Sequence, residues 1–191
     1  MTRSLGEALS LLADKGDINL ESSISRGIEK ESLRVSKNNT ISSADHPTSL
    51  GSALTNKYIT TDFSEALLEL ITPTHSSVED VLKNLDEICK FVVEETPETI
   101  WPSSIPCKIE KEDSIRLADY GTSNSGLLKT LYRSGLSYRY GSMMQTVSGI
   151  HYNFSFSDAF FDNLRGEEDL QTFKNKSYLS LIRNFRRNAW M

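Results

Sequence analysis

The chain is 191 residues long, 38% hydrophobic and 25% charged, proportions that suit one soluble globular domain with a substantial core. A net charge of −5 weighs against non-specific binding of nucleic acid, which needs a basic surface; Arg183, Arg186 and Arg187 are the local exception. No apolar run reaches the length of about 18 residues needed for a spanning helix, and the opening segment carries Asp14, Lys15 and Asp17 with no apolar signal core.

Ser4 and Glu7 make a capping-box signature ahead of Leu5, Ala8, Leu9 and Leu12, predicting a helix over about residues 4–13. A polar stretch then leads to Arg26-Gly27-Ile28-Glu29-Lys30-Glu31-Ser32-Leu33-Arg34-Val35. Read as a strand, this segment puts Glu29, Glu31, Leu33 and Val35 on one face and Ile28, Lys30, Ser32 and Arg34 on the other. Carboxylates two residues apart on a strand stand roughly 7 Å from each other. At an effective dielectric of ~20 their repulsion is about 2.4 kcal/mol. Beside an apolar stripe such a pair needs a basic side chain, a shared proton or a divalent cation. Without an apolar cover, it is simply a solvated strand face.

Residues 37–39 form a turn, and Asp45-His46-Pro47 marks an irregular segment in which His46 reads as solvated. The run from Tyr58 to Pro73 fits helix or strand, but its β-branched flanks and the proline favour a strand for the second half. There Leu67, Glu69 and Ile71 share a face. Asp62 and Glu69 are an odd number of residues apart, so both reach one site only if the chain turns between them. Ser77 and Asp80 open a helix over 77–95, with an apolar stripe of Val78, Val81, Leu82, Leu85, Ile88, Cys89 and Val92. Cys89 thus reads as core, whereas Cys107, after Pro106 in a loop, is a candidate for exposure. Two cysteines so far apart make neither a disulfide framework nor a zinc site, and they fit a reducing, cytoplasmic setting.

Residues 121–126 lack the lysine of a phosphate-binding loop, since Leu127 follows the last glycine. They read instead as a polar turn capping a helix over about 126–139, which carries Tyr132 and Arg133. From Met144 to Phe156 the chain alternates. Ile150, Tyr152, Phe154 and Phe156 form an apolar face, and Val147, Gly149, His151, Asn153 and Ser155 a small polar one. Tyr178, Leu181, Ile182 and Phe185 set up a last helix, expected to be still running at Trp190-Met191. Such an open end suggests a piece of a longer chain.

If the strands pair in one sheet, Glu29, Glu31, Asp62, Glu69 and His151 converge. That oxygen-rich set suits Mg²⁺ or Mn²⁺ better than zinc. Uncompensated repulsions of ~2 kcal/mol per pair would rival a domain's whole stability of about 5–15 kcal/mol.

The segments 26–35 and 59–69, with Trp101-Pro102 through Pro106-Cys107, Tyr120-Gly121-Thr122-Ser123-Asn124, Lys129-Thr130-Leu131-Tyr132-Arg133 and Ser148-Gly149-Ile150-His151-Tyr152-Asn153, resemble the proteobacterial type of glutamate–cysteine ligase. The likeness runs in order from about residue 25 onward and covers only the N-terminal part of that family's catalytic domain. The resemblance implies an α+β fold: a curved, mainly antiparallel sheet with flanking helices, similar to part of the glutamine synthetase-like ligases. It implies ATP-dependent joining of the γ-carboxylate of L-glutamate to L-cysteine through γ-glutamyl phosphate, the first step of glutathione synthesis, with Mg²⁺ or Mn²⁺ required. By position, Glu29, Glu31, Asp62, Glu69 and His151 match the family's metal cluster, and Tyr132 and Arg133 its substrate pocket. Further ligands and nucleotide contacts are expected beyond Met191, so the chain alone is expected to be inactive. Small-molecule substrates are the expected partners, with neither nucleic acid nor membrane. A non-catalytic cation-binding domain of the same ancestry is the alternative.

Overall fold

A computed structural model describes residues 10, 13 and 22–190. The first expected helix lies outside these residues except for Ser10 and Ala13, both helical. The fold is α+β, built on an antiparallel sheet. Two compact units are present among the described residues: one spans Arg26–Asn153, and the other joins the described residues before Arg26 with residues 154–190.

In the first unit, β1 (Ile24–Val35) is the central strand. Along one edge it pairs with β3 (Leu67–Ile71), which a tight turn connects to β2 (Ile59–Thr61). The short β4 (Thr99–Ile100) pairs with β1 at Arg34 and Val35. β5 (Ile150–Phe156) also pairs with β1, its approach marked by the Glu31 amide donating to the Gly149 carbonyl at 3.0 Å.

Both faces of β1 are covered toward its C-terminal end. Leu33, Val35 and Leu67 join Ile41, Phe63, Ala66, Cys107 and Ile115 in one core. Leu68 and Leu70 point the other way, into a second core with Leu50, Ile59 and Val92. Helix α1 (Val78–Glu95) closes that second core, its start fixed by the Ser77 hydroxyl accepting from the Asp80 amide at 3.2 Å. Its apolar stripe is only partly used. Val81 and Val92 are buried and Ile88 and Cys89 pack against the core, but Val78 and Leu82 remain exposed.

Helix α2 (Asn124–Tyr140) begins where the polar turn predicts, with Ser123 capping the Gly126 amide at 3.1 Å. Gly126 sits in a close approach, where a Cβ would collide with the backbone carbonyls of Tyr120 and Gly121 unless the chain shifts. Residues 143–146 form a 3-10 turn rather than the expected strand, which starts only at Ile150. All of β5 except half-buried Phe156 is exposed among the described residues.

Two local expectations are overturned by burial. His46 is not solvated: both ring nitrogens are shut off from water. Burial pushes its imidazole below the ordinary value, with the Arg34 guanidinium adding in the same direction. Cys107 lies in the core at 6% exposure, because its loop folds over Leu33 and Val35 rather than away from them.

In the second unit, α3 (Asp158–Arg165) and α4 (Leu170–Asn188) pack around Phe156, Phe160, Phe161, Phe173 and Tyr178. The expected run of the last helix to Trp190 does not occur. Asn188 ends it, its side-chain amide donating to the Asn184 carbonyl at 2.9 Å. No helix among the described residues is long and apolar enough to cross a membrane.

Candidate metal centre

The register of the sheet builds the site. Glu31 lies directly opposite Glu69, and Leu33 opposite Leu67. One face of β1 and β3 therefore passes from apolar to acidic within two residues. Like charges placed directly across a strand pair repel, and here the adjoining core also strips water from them. Asp62 joins the same face through the turn: its amide donates to the Leu67 carbonyl at 2.9 Å, while Thr60 sits opposite Glu69. The odd spacing between Asp62 and Glu69 is thereby reconciled, because the chain reverses between them.

β5 brings the remaining donors. The His151 imidazole (Nδ1) lies 3.1 Å from Glu29 Oε2, and the Asn153 amide donates to Glu29 Oε1 at 2.9 Å. The Gly149 amide donates to Glu31 Oε2 at 2.6 Å. Ligand atoms of Glu29, Glu69 and His151 all lie within 4.8 Å of one another. Glu31 and Asp62 are not part of this tight triad, although both charges reach Glu69.

The electrostatics show how poorly the face is compensated. Burial, then the charges of Asp62, Glu29 and Glu31, push the Glu69 carboxyl up to about 7. His151 opposes that rise more weakly than any of the three carboxylates promotes it. Burial also raises Glu31 above the ordinary carboxylate value, against the lowering effect of its bond from Gly149. The hydrogen bond with Glu29 raises the His151 imidazole. One imidazole thus faces four carboxylates, and burial together with their mutual repulsion favours the protonated form of Glu69.

The residues present fit a hard divalent cation. Two carboxylates and one imidazole converge within the reach of one ion, in the oxygen-rich mixture that Mg²⁺ and Mn²⁺ prefer. Gly149 lies beside the site, where a Cβ would make ordinary contact with Glu31 Oε2 and His151 Nε2, 3.5 Å from each. Outer hydrogen bonds from Asn153 and Gly149 orient Glu29 and Glu31.

The two substrate-pocket candidates differ in availability. Tyr132 is 60% exposed on α2. Arg133 is engaged within the protein: Nε donates to the Asp62 carbonyl and Nη1 to the Lys129 carbonyl at 3.0 Å. Sequence reasoning did not single out Asn153 as a donor to Glu29, although it placed this residue on the polar face with His151. Nor did it find Tyr120, whose hydroxyl holds the Thr61 carbonyl at 2.6 Å.

Similarity to known proteins shows the family. The family model described as glutamate-cysteine ligase matches residues 9–191. The glutamate–cysteine ligase of Vibrio vulnificus (strain YJ016) is 51% identical over 170 residues, covering 87% of this chain and 32% of the relative. That of Pseudoalteromonas translucida is 48% identical over 190 residues, covering 97% of this chain and 36% of the relative. Among solved structures, Francisella tularensis glutamate–cysteine ligase in complex with AMP aligns with a TM-score of 0.73 at 42% identity, over 78% of this chain and 30% of that one. A bifunctional glutathione synthetase from Pasteurella multocida aligns with a TM-score of 0.81 at 34% identity, over 94% of this chain and 24% of that one. The chain spans about a third of the length of the curated relatives it matches. With the family match over nearly all its residues and relatives about half identical to it, this chain belongs to the glutamate–cysteine ligase family.

Proposed function

We propose that this chain supplies the cation-holding wall of an ATP-dependent ligase that joins the γ-carboxylate of L-glutamate to the amine of L-cysteine. The observation that carries the reading is the triad of Glu29, Glu69 and His151 within 4.8 Å, beside two further carboxylates. In that reaction a glutamate oxygen takes the terminal phosphoryl group of ATP, and the cysteine amine then displaces phosphate from the acyl carbon. A bound Mg²⁺ or Mn²⁺ supplies charge neutralisation to the phosphoryl oxygens.

Glu29, Glu69 and His151 hold the cation in this reading, with Glu31 and Asp62 flanking it. Asn153 keeps Glu29 turned inward, and the Gly149 amide does the same for Glu31. Tyr132 stands exposed for contact with substrate. The AMP complex of the Francisella relative supports a nucleotide on this fold. No side-chain nucleophile is needed, since both bond-forming steps are made by substrate atoms.

The test is a chimera in which this chain replaces the matched third of the Vibrio vulnificus enzyme. Cysteine-dependent ADP release, lost on Glu69→Gln, is the expected result, and the isolated chain is expected to give none. A folded chimera that binds Mn²⁺ but releases no ADP would favour the non-catalytic cation-binding domain instead.

A further inference from the structure

We propose that Tyr120 and Arg133 are positioning residues that hold Asp62 in the cation face by gripping the backbone of its turn; this rests on the cation reading above. The Tyr120 hydroxyl donates to the Thr61 carbonyl at 2.6 Å and reaches the Asp62 carbonyl at 3.3 Å. Arg133 Nε donates to that same Asp62 carbonyl. The Asp62 amide is already committed to Leu67 across the turn. Both backbone groups of Asp62 are therefore fixed, and only its side-chain rotations remain to aim the carboxylate.

The grip is itself anchored. The Tyr120 ring, 6% exposed, carries the Arg133 guanidinium at 4.7 Å and the Lys129 ammonium at 4.9 Å from its centroid. These two cations stand one helical turn apart on α2. The same helix face reaches the Tyr120 region twice more. Gly126 lies against the Tyr120 carbonyl too closely for any side chain, and the Thr130 hydroxyl donates to the Ala118 carbonyl at 3.2 Å. Three positions of α2 thus converge on one tyrosine whose hydroxyl touches the turn, and a fourth bonds two residues before it. Two of the arginine's nitrogens donate to backbone carbonyls, one of them that of Asp62, so the guanidinium braces the turn directly.

Asp62 is worth this support. Its charge is the strongest of the neighbouring carboxylates' influences on Glu69 and also on Glu31. A carboxylate held in place before an ion arrives binds more tightly than one that must be ordered on binding.

Mn²⁺ titration of the whole 191-residue chain, followed by the loss of free-ion electron paramagnetic resonance signal, tests the proposal. Tyr120→Phe keeps the ring and its cation contacts but removes the donated bond. It is expected to weaken Mn²⁺ binding about tenfold. Added to Asp62→Asn, it should weaken binding no further. Arg133→Gln should behave in the same way, and it stands in if Tyr120→Phe fails to fold. Affinity within twofold of wild type, or an equal loss in the Asp62→Asn background, reduces both residues to ordinary fold support and overturns the proposal. Wild-type chain that binds no Mn²⁺ overturns the cation reading together with it, whereas wild-type binding with indifferent variants overturns this proposal alone.

Discussion

Glu69→Gln removes the carboxylate whose titration the fold has moved furthest into the neutral range. The rise from an ordinary 4.5 to about 7, at about 1.36 kcal/mol per pH unit, sets a ceiling of about 3.4 kcal/mol. Glu69 is only half-buried, and solvent screening lowers the working figure to about 1–2 kcal/mol. The sign follows from proton binding. Between the unfolded and folded values the folded chain keeps a proton that the unfolded chain has lost. Stability from this group is therefore complete below about 4.5 and falls away as pH rises through about 7. Urea denaturation in the presence of a chelator should find wild type less stable at pH 8 than at pH 5. Most of that difference should vanish in Glu69→Gln, which becomes the more stable protein at pH 8. If the variant is instead destabilised equally at both pH values, Glu69 serves a packing or hydrogen-bonding role and the electrostatic account is wrong.

Other outcomes follow from the same geometry. Arg34 is fully buried, paired with Glu98, and donates to the carbonyls of Ala44 and Glu65 at 2.9 Å each. Arg34→Ala should cost about 3–5 kcal/mol in a denaturation experiment, because it removes a fully buried side chain and takes the charge partner from half-buried Glu98 and a donor from two carbonyls. Gly126→Ala forces a methyl into backbone carbonyls and should lower the melting temperature by several degrees, an expectation of about 1–3 kcal/mol from overpacking. Asn153→Leu removes a donor from Glu29; Mn²⁺ affinity should fall about tenfold with the melting temperature of the metal-free chain nearly unchanged.

Much of the site was legible because strands have a period of two. Glu29 and Glu31 had to share a face, and so did Gly149, His151 and Asn153; pairing β1 with its neighbours then brought these faces together. The Asp62 placement needed one more fact, the turn that reverses the chain before Leu67, which local pattern alone could not supply. Arg34 illustrates what stays hidden. Its local pattern reads as a polar strand position, but Glu98 lies 64 residues away, and only the tertiary fold reveals the pair. His46 and Cys107 were misread for a related reason. A proline-marked loop signals irregular backbone, not exposure, and both loops fold back over the core. Tyr120 stood in one of the segments that carry the family resemblance, but nothing in the sequence pointed to its bracing role. Its role depends on α2 delivering Arg133 and Lys129 to its ring.

The central claim is that Glu29, Glu69 and His151 hold one divalent cation. Thermal melting of the wild-type chain with and without millimolar Mg²⁺, beside Glu29→Gln/Glu69→Gln, tests it most directly, because binding to the folded state alone must raise its stability. A rise in wild type of the size given by about 2.7 kcal/mol at a hundredfold excess over Kd, absent from the double variant, is the expected result. An equal response to Mg²⁺ in both proteins, or none in either, would contradict the account.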